Sequence, residues 1–436
     1  DGTNFLVVWS DYRSNPDSVD IFGARVTPDG AVLDASGIPI STAVDSQWSP
    51  AVTFDGADFL VIWQDKRSGS YADIYGARVA PTGTVLDPGG FPISTWANRS
   101  QSPAVSFDGT NSLVVWSDDR NGSQAWDIYG ARVSPAGSVL DPNSIPVSIA
   151  TGAQQYPAVS CDGTNWLVVW TDSRGSGYAV YGARVSQAGV VLDTAGVPIS
   201  TGALYHRSPA VSYDGANFLA VWSEDRASLY AYDIYGARVT PAGAVLDPNG
   251  ISISTAPNGQ RSPAVCFDGT NSLVVWQDER SGFYVYDIYG ARVTRAGSVL
   301  EEFPVITQYG NQYSPDLCSG SGEMFLVYSG WTGEEQGKQY NTDRIWGRFD
   351  QLTGVGEHAL PTTRTSRPTS TIVRGSLVLP QSPFPTSHSR ACLLDAAGRQ
   401  ILVLHAGPND IRHMDAGVYF VRQRDMTGNW KVVVQR

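Results

Sequence analysis

The chain has 436 residues, of which 42% are apolar and 17% charged, with 45 glycines and 26 prolines; that composition suits a turn-rich globular protein and excludes a disordered one. Its net charge of −12 is unevenly spread, since residues 1–357 hold 20 basic against 38 acidic side chains and residues 358–436 hold 10 against 4. Acidity over most of the chain excludes nucleic acid as the main partner, because phosphate binding needs a basic stripe, and no run approaches the ~18 apolar residues of a transmembrane segment.

From the first residues onward one sentence is rewritten. A tryptophan closing an apolar run recurs at Trp9, Trp63, Trp116, Trp170, Trp222 and Trp276, with Tyr328 in a degenerate seventh copy, at spacings of 52 to 54 residues. A full unit, residues 102–151, breaks into four strand-like runs. Run a is "SPAVSF", and "DGTN" after it has hairpin-turn chemistry. Run b, "SLVVWSD", is apolar on both sides of its pleat and must be covered on both faces. Run c is "DIYGARV", and after a Pro-Ala-Gly turn run d is "SVLDPNSIPVS".

A four-stranded antiparallel sheet, buried on both faces and repeated about every 53 residues, predicts an all-β fold: a seven-bladed β-propeller over residues 1–357. The first copy begins at "DGTNFLVVW" without a "SPAV". Its blade is therefore expected to lack the innermost strand, through truncation upstream or with "SRPTSTIV" (366–373) closing the ring. Residues 358–370 read as a Thr/Pro/Ser linker. Residues 371–436, with the alternating runs "SLVLP", "ACLLD", "QILVL", "GVYFVR" and "KVVVQR", read as a small β-sandwich.

The motif W-x-D-x-R, as in Trp63, Asp65 and Arg67, places three side chains on one side of a strand. An active site is made once, whereas this motif is made in nearly every copy, so it reads as structural cement, Asp and Arg pairing with each other or with Asp127 and Arg132 of run c. Asp11, Asn15, Asp17 and Asp20 fall within ten residues, but other copies lack the spacing that a calcium loop needs. "SFDGTN" departs from the Asp-box of sialidase-type propellers, in which one residue separates Asp and Gly. The five histidines have no ligand spacing, and the four cysteines show no paired spacing and read as isolated buried thiols. Neither metal nor cofactor is expected.

Strand parity sorts the turns. In a meander the a–b and c–d turns leave one face of the ring, and the b–c tips and d-to-a connectors leave the other. The first face is monotonous. The second varies from copy to copy and is rich in aromatic residues, where binding loops are expected. Tyr71, Trp126, Tyr178, Tyr230, Tyr232, Phe283 and Tyr284 lie on tips; Trp96 and Tyr205 lie on connectors. Rings beside amide and guanidinium groups suit a sugar face or a protein partner's hot spots, with about half expected to tuck between blades instead.

In the tail, Leu394-Asp395 followed by Gly398-Arg399, then Gly417-Val418-Tyr419-Phe420-Val421 and the closing Lys431-Val432-Val433-Val434, form an ordered set that resembles the C-terminal sorting domain of the bacterial type IX secretion system. That resemblance implies transport across an outer membrane, with the secretion machinery as a partner and a secreted or surface-attached location. The repeats look like those of large secreted bacterial propeller proteins.

The reading is a secreted or cell-surface binding protein whose variable face takes a polysaccharide or protein ligand. The rival is a carbohydrate-active hydrolase or lyase, which should break the repeat at one place; His206-Arg207, Glu224 and Glu334-Glu335 are the breaks, and none forms an arguable carboxylate pair. A third reading, a purely structural spacer, predicts no exposed aromatic cluster.

Overall fold

Run b dictates the architecture. In the computed structural model the strands Phe59–Asp65, Ser112–Asp118 and Phe218–Asp225 are buried along their whole length, which only a neighbouring sheet on each side can achieve. The structure describes residues 1–351 other than 16–17, 70, 96–98, 123–124, 176, 201–204, 226–231, 283–284, 308–309, 321 and 332–342, and beyond them the backbone of seven strands between 371 and 434. The chain divides into two compact units, Asp1–Gly354 and Val355–Arg436.

The first unit is a seven-bladed β-propeller. Blades two to six are four-stranded antiparallel meanders, as in blade three, whose strands a to d are Ser100–Phe107, Ser112–Asp118, Asp127–Val133 and Ile145–Ser148. Blade one has three strands and starts at strand b (Phe5–Asn15), as its repeat phase requires; blade seven has three among the described residues, starting at strand a (Gln312–Gly320). Among the described residues the ring closes without a strand from elsewhere. Phe5 of blade one packs on Phe325 and Phe349 of blade seven, with ring centroids 5.0 and 5.4 Å apart. Of the segment 366–373 considered as a closing strand, Thr371–Val373 pairs in parallel with Asn429–Val434 inside the second unit, and 366–370 lie outside the described residues.

The blade boundaries have their own apolar clusters, and between blades one to six the repeated tryptophan is the knob. Trp116 packs with Leu60 and Ile62 of the preceding blade, and Trp222 with Leu167 and Val169. Within a blade, the glycine of "DIYGARV" lets strands b and d pack closely on strand c. A Cβ on Gly182 would lie 2.8 Å from Ile199 Cδ1 and 3.0 Å from the Val168 carbonyl.

Two features depart from simple strands. Strand a carries a bulge, where Ser49, Ser102, Tyr156, Ser208, Ser262 and Ser314 all have φ between +47° and +56°. The preceding blade holds that conformation in place, because Ser102 N donates to Gln64 Oε1 (3.0 Å) and Tyr156 N to Ser117 Oγ (3.1 Å). Run d, expected as one strand, is split: Val139 makes a lone bridge to Val133 before strand d begins at Ile145. At the break, Asp141 captures both the backbone N–H and the guanidinium of Arg132. Where Glu301 replaces that aspartate, the strand runs unbroken from Val299 to Ile306.

In the second unit the described strands form a five-stranded and a two-stranded sheet. The linker, 358–370, lies outside the described residues. Among the described residues no helix is long and apolar enough to cross a membrane.

Candidate functional site

The repeated W-x-D-x-R motif is built into the frame. Asp118, fully buried, accepts Trp116 Nε1 at 3.0 Å and takes Arg120 through both Nε (2.8 Å) and Nη2 (2.7 Å), while the guanidinium lies 3.8 Å from the Tyr129 ring centre. The same set recurs at Asp65, Asp172 and Asp278. Asp127 and Arg132 take no part, for Asp127 bonds Asn121 and Arg132 bonds Asp141. Asp11 is held likewise by Trp9 and Arg13. No group of three metal-ligating side chains occurs among the described residues.

The monotonous face is also fastened. Arg25, Arg78, Arg132, Arg184 and Arg238 of strand c each bond the aspartate of their own d segment, and each reaches a carbonyl in the next blade's c–d turn, as Arg78 does to Pro135 O. Hydrogen bonds from Arg78 and Arg184 hold the Asp87 and Asp193 carboxyls below the usual carboxylate range. Every strand-c arginine in blades one to five is thus neutralised.

The variable face is organised by pairing across blade boundaries. The start of one blade's strand a hydrogen-bonds the end of the preceding blade's tip: Ser100 N to Ala72 O, Gln154 N to Trp126 O, His206 N to Tyr178 O and Gln312 N to Tyr286 O. Tips and connectors therefore share one face. Aromatic and cationic side chains follow the same pairing. Arg99 sits 5.4 Å from the Tyr71 ring, Tyr178 stacks on Tyr205 at 5.7 Å, and Tyr286 meets Tyr313 at 5.4 Å. Burial, with a hydrogen bond to Glu279, pushes the Tyr286 hydroxyl up to about 12.

The expected ligand-contacting rings fall into three groups. Tyr71 is 45% exposed, and Tyr178 and Tyr205 are half-buried in their stack. Trp126 and Tyr232 are buried, a correction to their reading as rings offered to a ligand. Trp126 lies next to the carbonyl that ties the tip to the next blade, and Tyr232 is the first residue of strand c, paired with Asp225. Trp96, Tyr230, Phe283 and Tyr284 lie outside the described residues, as do Glu334 and Glu335. Two accessible rings were not singled out from sequence: Tyr12, 63% exposed on the first tip, and Tyr156, 46% exposed at the strand-a bulge. The substitution of Tyr for Ser in "SPAV" was the available signal for the second.

Departures from the repeat gather in blades five to seven. The strand-a segments of blades two to four, Gln47–Phe54, Ser100–Phe107 and Gln154–Cys161, contain no charged residue; those that follow carry His206 and Arg207, Arg261, and Asp316. His206 shares a 2.6 Å hydrogen bond between its Nδ1 and Ser200 Oγ, its Nε2 is 3.7 Å from Glu224, and its ring lies parallel to Trp222. The connectivity is that of a nucleophile with a base and an orienting acid. Ser200 at 5% and His206 and Glu224 at 1% exposure are built into the blade. Asp316 differs. It stands where "SPAV" has Ala, solvent reaches it, and the crowding of the ring interior pushes its carboxyl above the usual range by desolvation. The cysteines were expected to be buried, yet Cys161 and Cys266 are half-buried and Cys318 is exposed; all three are free thiols.

No protein-family model and no curated protein matches the sequence. Among solved structures, the ring is similar to a protein of unknown function from Dyadobacter fermentans DSM 18053 at 12% identity, covering 69% of this chain and 93% of that one, with a TM-score of 0.47. It is also similar to the Trypanosoma rangeli sialidase (9% identity, 70% of this chain and 54% of that one, TM-score 0.45). A third is a subtype N11 neuraminidase-like protein of A/flat-faced bat/Peru/033/2010 (11% identity, 72% and 89%, TM-score 0.45).

Proposed function

We propose that the propeller is a polysaccharide-binding ring that works through its variable face. The supporting observation is the cross-blade pairing of Tyr71 with Arg99 and of Tyr178 with Tyr205 on hairpins tied to the next blade. Rings fixed before the ligand arrives lose little freedom on binding, and a half-exposed tyrosine offers both an apolar face and a hydroxyl. Affinity pull-down of the full chain on a polysaccharide panel tests the reading. Tyr71→Ala with Tyr156→Ala is expected to weaken binding about tenfold, on the order of 1.4 kcal/mol. An absence of binding across the panel, or binding indifferent to both changes, refutes it.

The second unit is proposed to be an export domain of the type IX kind and to adopt a β-sandwich. The support is the residue set from Leu394 to Val434. Removing residues 431–436 should trap the protein inside a bacterium that carries this machinery; surface delivery without them refutes the assignment. A hydrolase remains the alternative, and it rests on Asp316. Glycosidases of the common mechanisms need two carboxyl groups flanking the bond, and the strand-a segments of blades two to seven supply one. Release of reducing sugar from the same panel, abolished by Asp316→Asn, would favour that alternative.

A further inference from the structure

We infer that Arg207 and Arg261, both within 6.0 Å of the Tyr232 ring centre, form an anion-binding subsite on the variable face that takes the carboxylate of an acidic sugar. The inference rests on the proposed polysaccharide-binding reading and names the ligand's class.

The two arginines occupy equivalent places, each following the first buried residue of strand a, in blades five and six: His206-Arg207 and Gln260-Arg261. The corresponding residues elsewhere are Trp48, Gln101, Gln155 and Tyr313, so charge at this position is confined to two adjacent blades. Arg207 Cζ lies 5.8 Å from the Tyr205 ring centre and 6.0 Å from that of Tyr232, and Arg261 Cζ lies 5.0 Å from Tyr232. One tyrosine thus serves two guanidinium groups.

The charge balance of Arg207 sets it apart from the frame. The arginines of W-x-D-x-R and of strand c in blades one to five are met by carboxylates. Arg207 is exposed, and no acidic side chain pairs with it among the described residues. Arg261 has a partner of its own, and Glu279 lies near it: a Cβ on Gly259 would be 3.1 Å from Glu279 Oε2 and 3.2 Å from Arg261 Nε. Glu279 also engages Tyr286, and Asp225, opposite Tyr205 in the sheet, is buried. Arg207 is therefore the donor to the anion, and Arg261 adds positive charge near it. The Tyr205 and Tyr232 ring centres lie within 6.0 Å of the Arg207 guanidinium carbon, and a planar fork matches a carboxylate in two parallel hydrogen bonds. The acidic ring as a whole does not forbid this, since its distant charges are screened within about 8 Å at physiological salt.

The test uses the full chain with polygalacturonate and the same polymer after carboxyl reduction to its neutral form. The expected result is binding to polygalacturonate at least about tenfold tighter than to the reduced polymer, weakened by 0.5 M NaCl and by Arg207→Gln or Arg261→Gln. Arg295→Gln, the same charge change at an exposed residue on the opposite face, should leave it unchanged. Comparison of the two polymers needs no variant, so a folding defect cannot mimic the result. Equal binding of both polymers, or polygalacturonate binding indifferent to both Arg207→Gln and Arg261→Gln, overturns the subsite and leaves the polysaccharide reading standing. Failure of every polysaccharide to bind overturns both.

Discussion

Removing the Asp118 carboxylate should be among the most damaging single changes to the ring. Asp118→Ala strips the partner from Trp116 Nε1, from the Ser100 hydroxyl, and from the backbone N–H and guanidinium of Arg120, whose side chain is 10% exposed. A buried charge left without its partner costs about 3–5 kcal/mol. The first blade provides an internal comparison. Asp11 makes the same bonds to Trp9 and Arg13, but Arg13 is 43% exposed, so water replaces the lost partner and the cost of Asp11→Ala should fall to about 1 kcal/mol. Urea unfolding with linear extrapolation measures both. The double change Asp118→Ala with Arg120→Ala should be less costly than Asp118→Ala alone, because it removes the stranded cation. Equal losses at Asp11 and Asp118, or a loss at Asp118 below about 1 kcal/mol, would refute the reasoning that burial makes this motif the frame's cement.

Ring closure should depend on the phenylalanine cluster: Phe325→Ala is expected to cost about 3–5 kcal/mol and to speed proteolysis near residues 1–5 and 321, whereas unchanged proteolysis would contradict closure through Phe5. Acid should loosen the monotonous face. Asp87 and Asp193 have folded pKa values below their unfolded ones, so their stabilising contribution is complete above the unfolded value of about 3.9 and is lost as pH falls through the folded value; a melting temperature that rises on acidification through this window, and does so equally in Arg78→Gln, would contradict it. Asp316 has the opposite sign. Its raised folded pKa means that its ionised form opposes folding, so Asp316→Ala should melt higher than the parent at pH 7, with the gain vanishing below about pH 4; a lower melting temperature at pH 7 would show that the carboxylate is stabilised by a partner.

Most of the frame was legible in the sequence because it is written in periods. The 52-to-54-residue recurrence of the tryptophan set the blades, and the unbroken apolar run b required sheets on both sides. Parity then placed Tyr71, Tyr178 and Tyr205 on one face. What stayed hidden is what parity does not encode. Trp126 and Tyr232 look like Tyr71 in a tip sequence, yet one precedes strand c directly and the other begins it, so both turn inward. The partner of Arg132 is Asp141, nine residues on and across a turn, and no strand period links the two. The positive φ of Ser102 depends on Gln64 of another blade. Asp316 is legible as "SPDL" against "SPAV", but a lone carboxylate lacks the second acid that would mark it as a glycosidase pair.

The central claim is that ligand recognition belongs to the face that carries the tips and connectors. Amide hydrogen exchange with and without saturating polygalacturonate tests it most directly. The account predicts slowed exchange in residues 66–72, 99–103, 153–156, 205–209 and 258–263, with the c–d turns at 80–86, 134–140 and 240–246 unchanged. Protection centred on those c–d turns would contradict it.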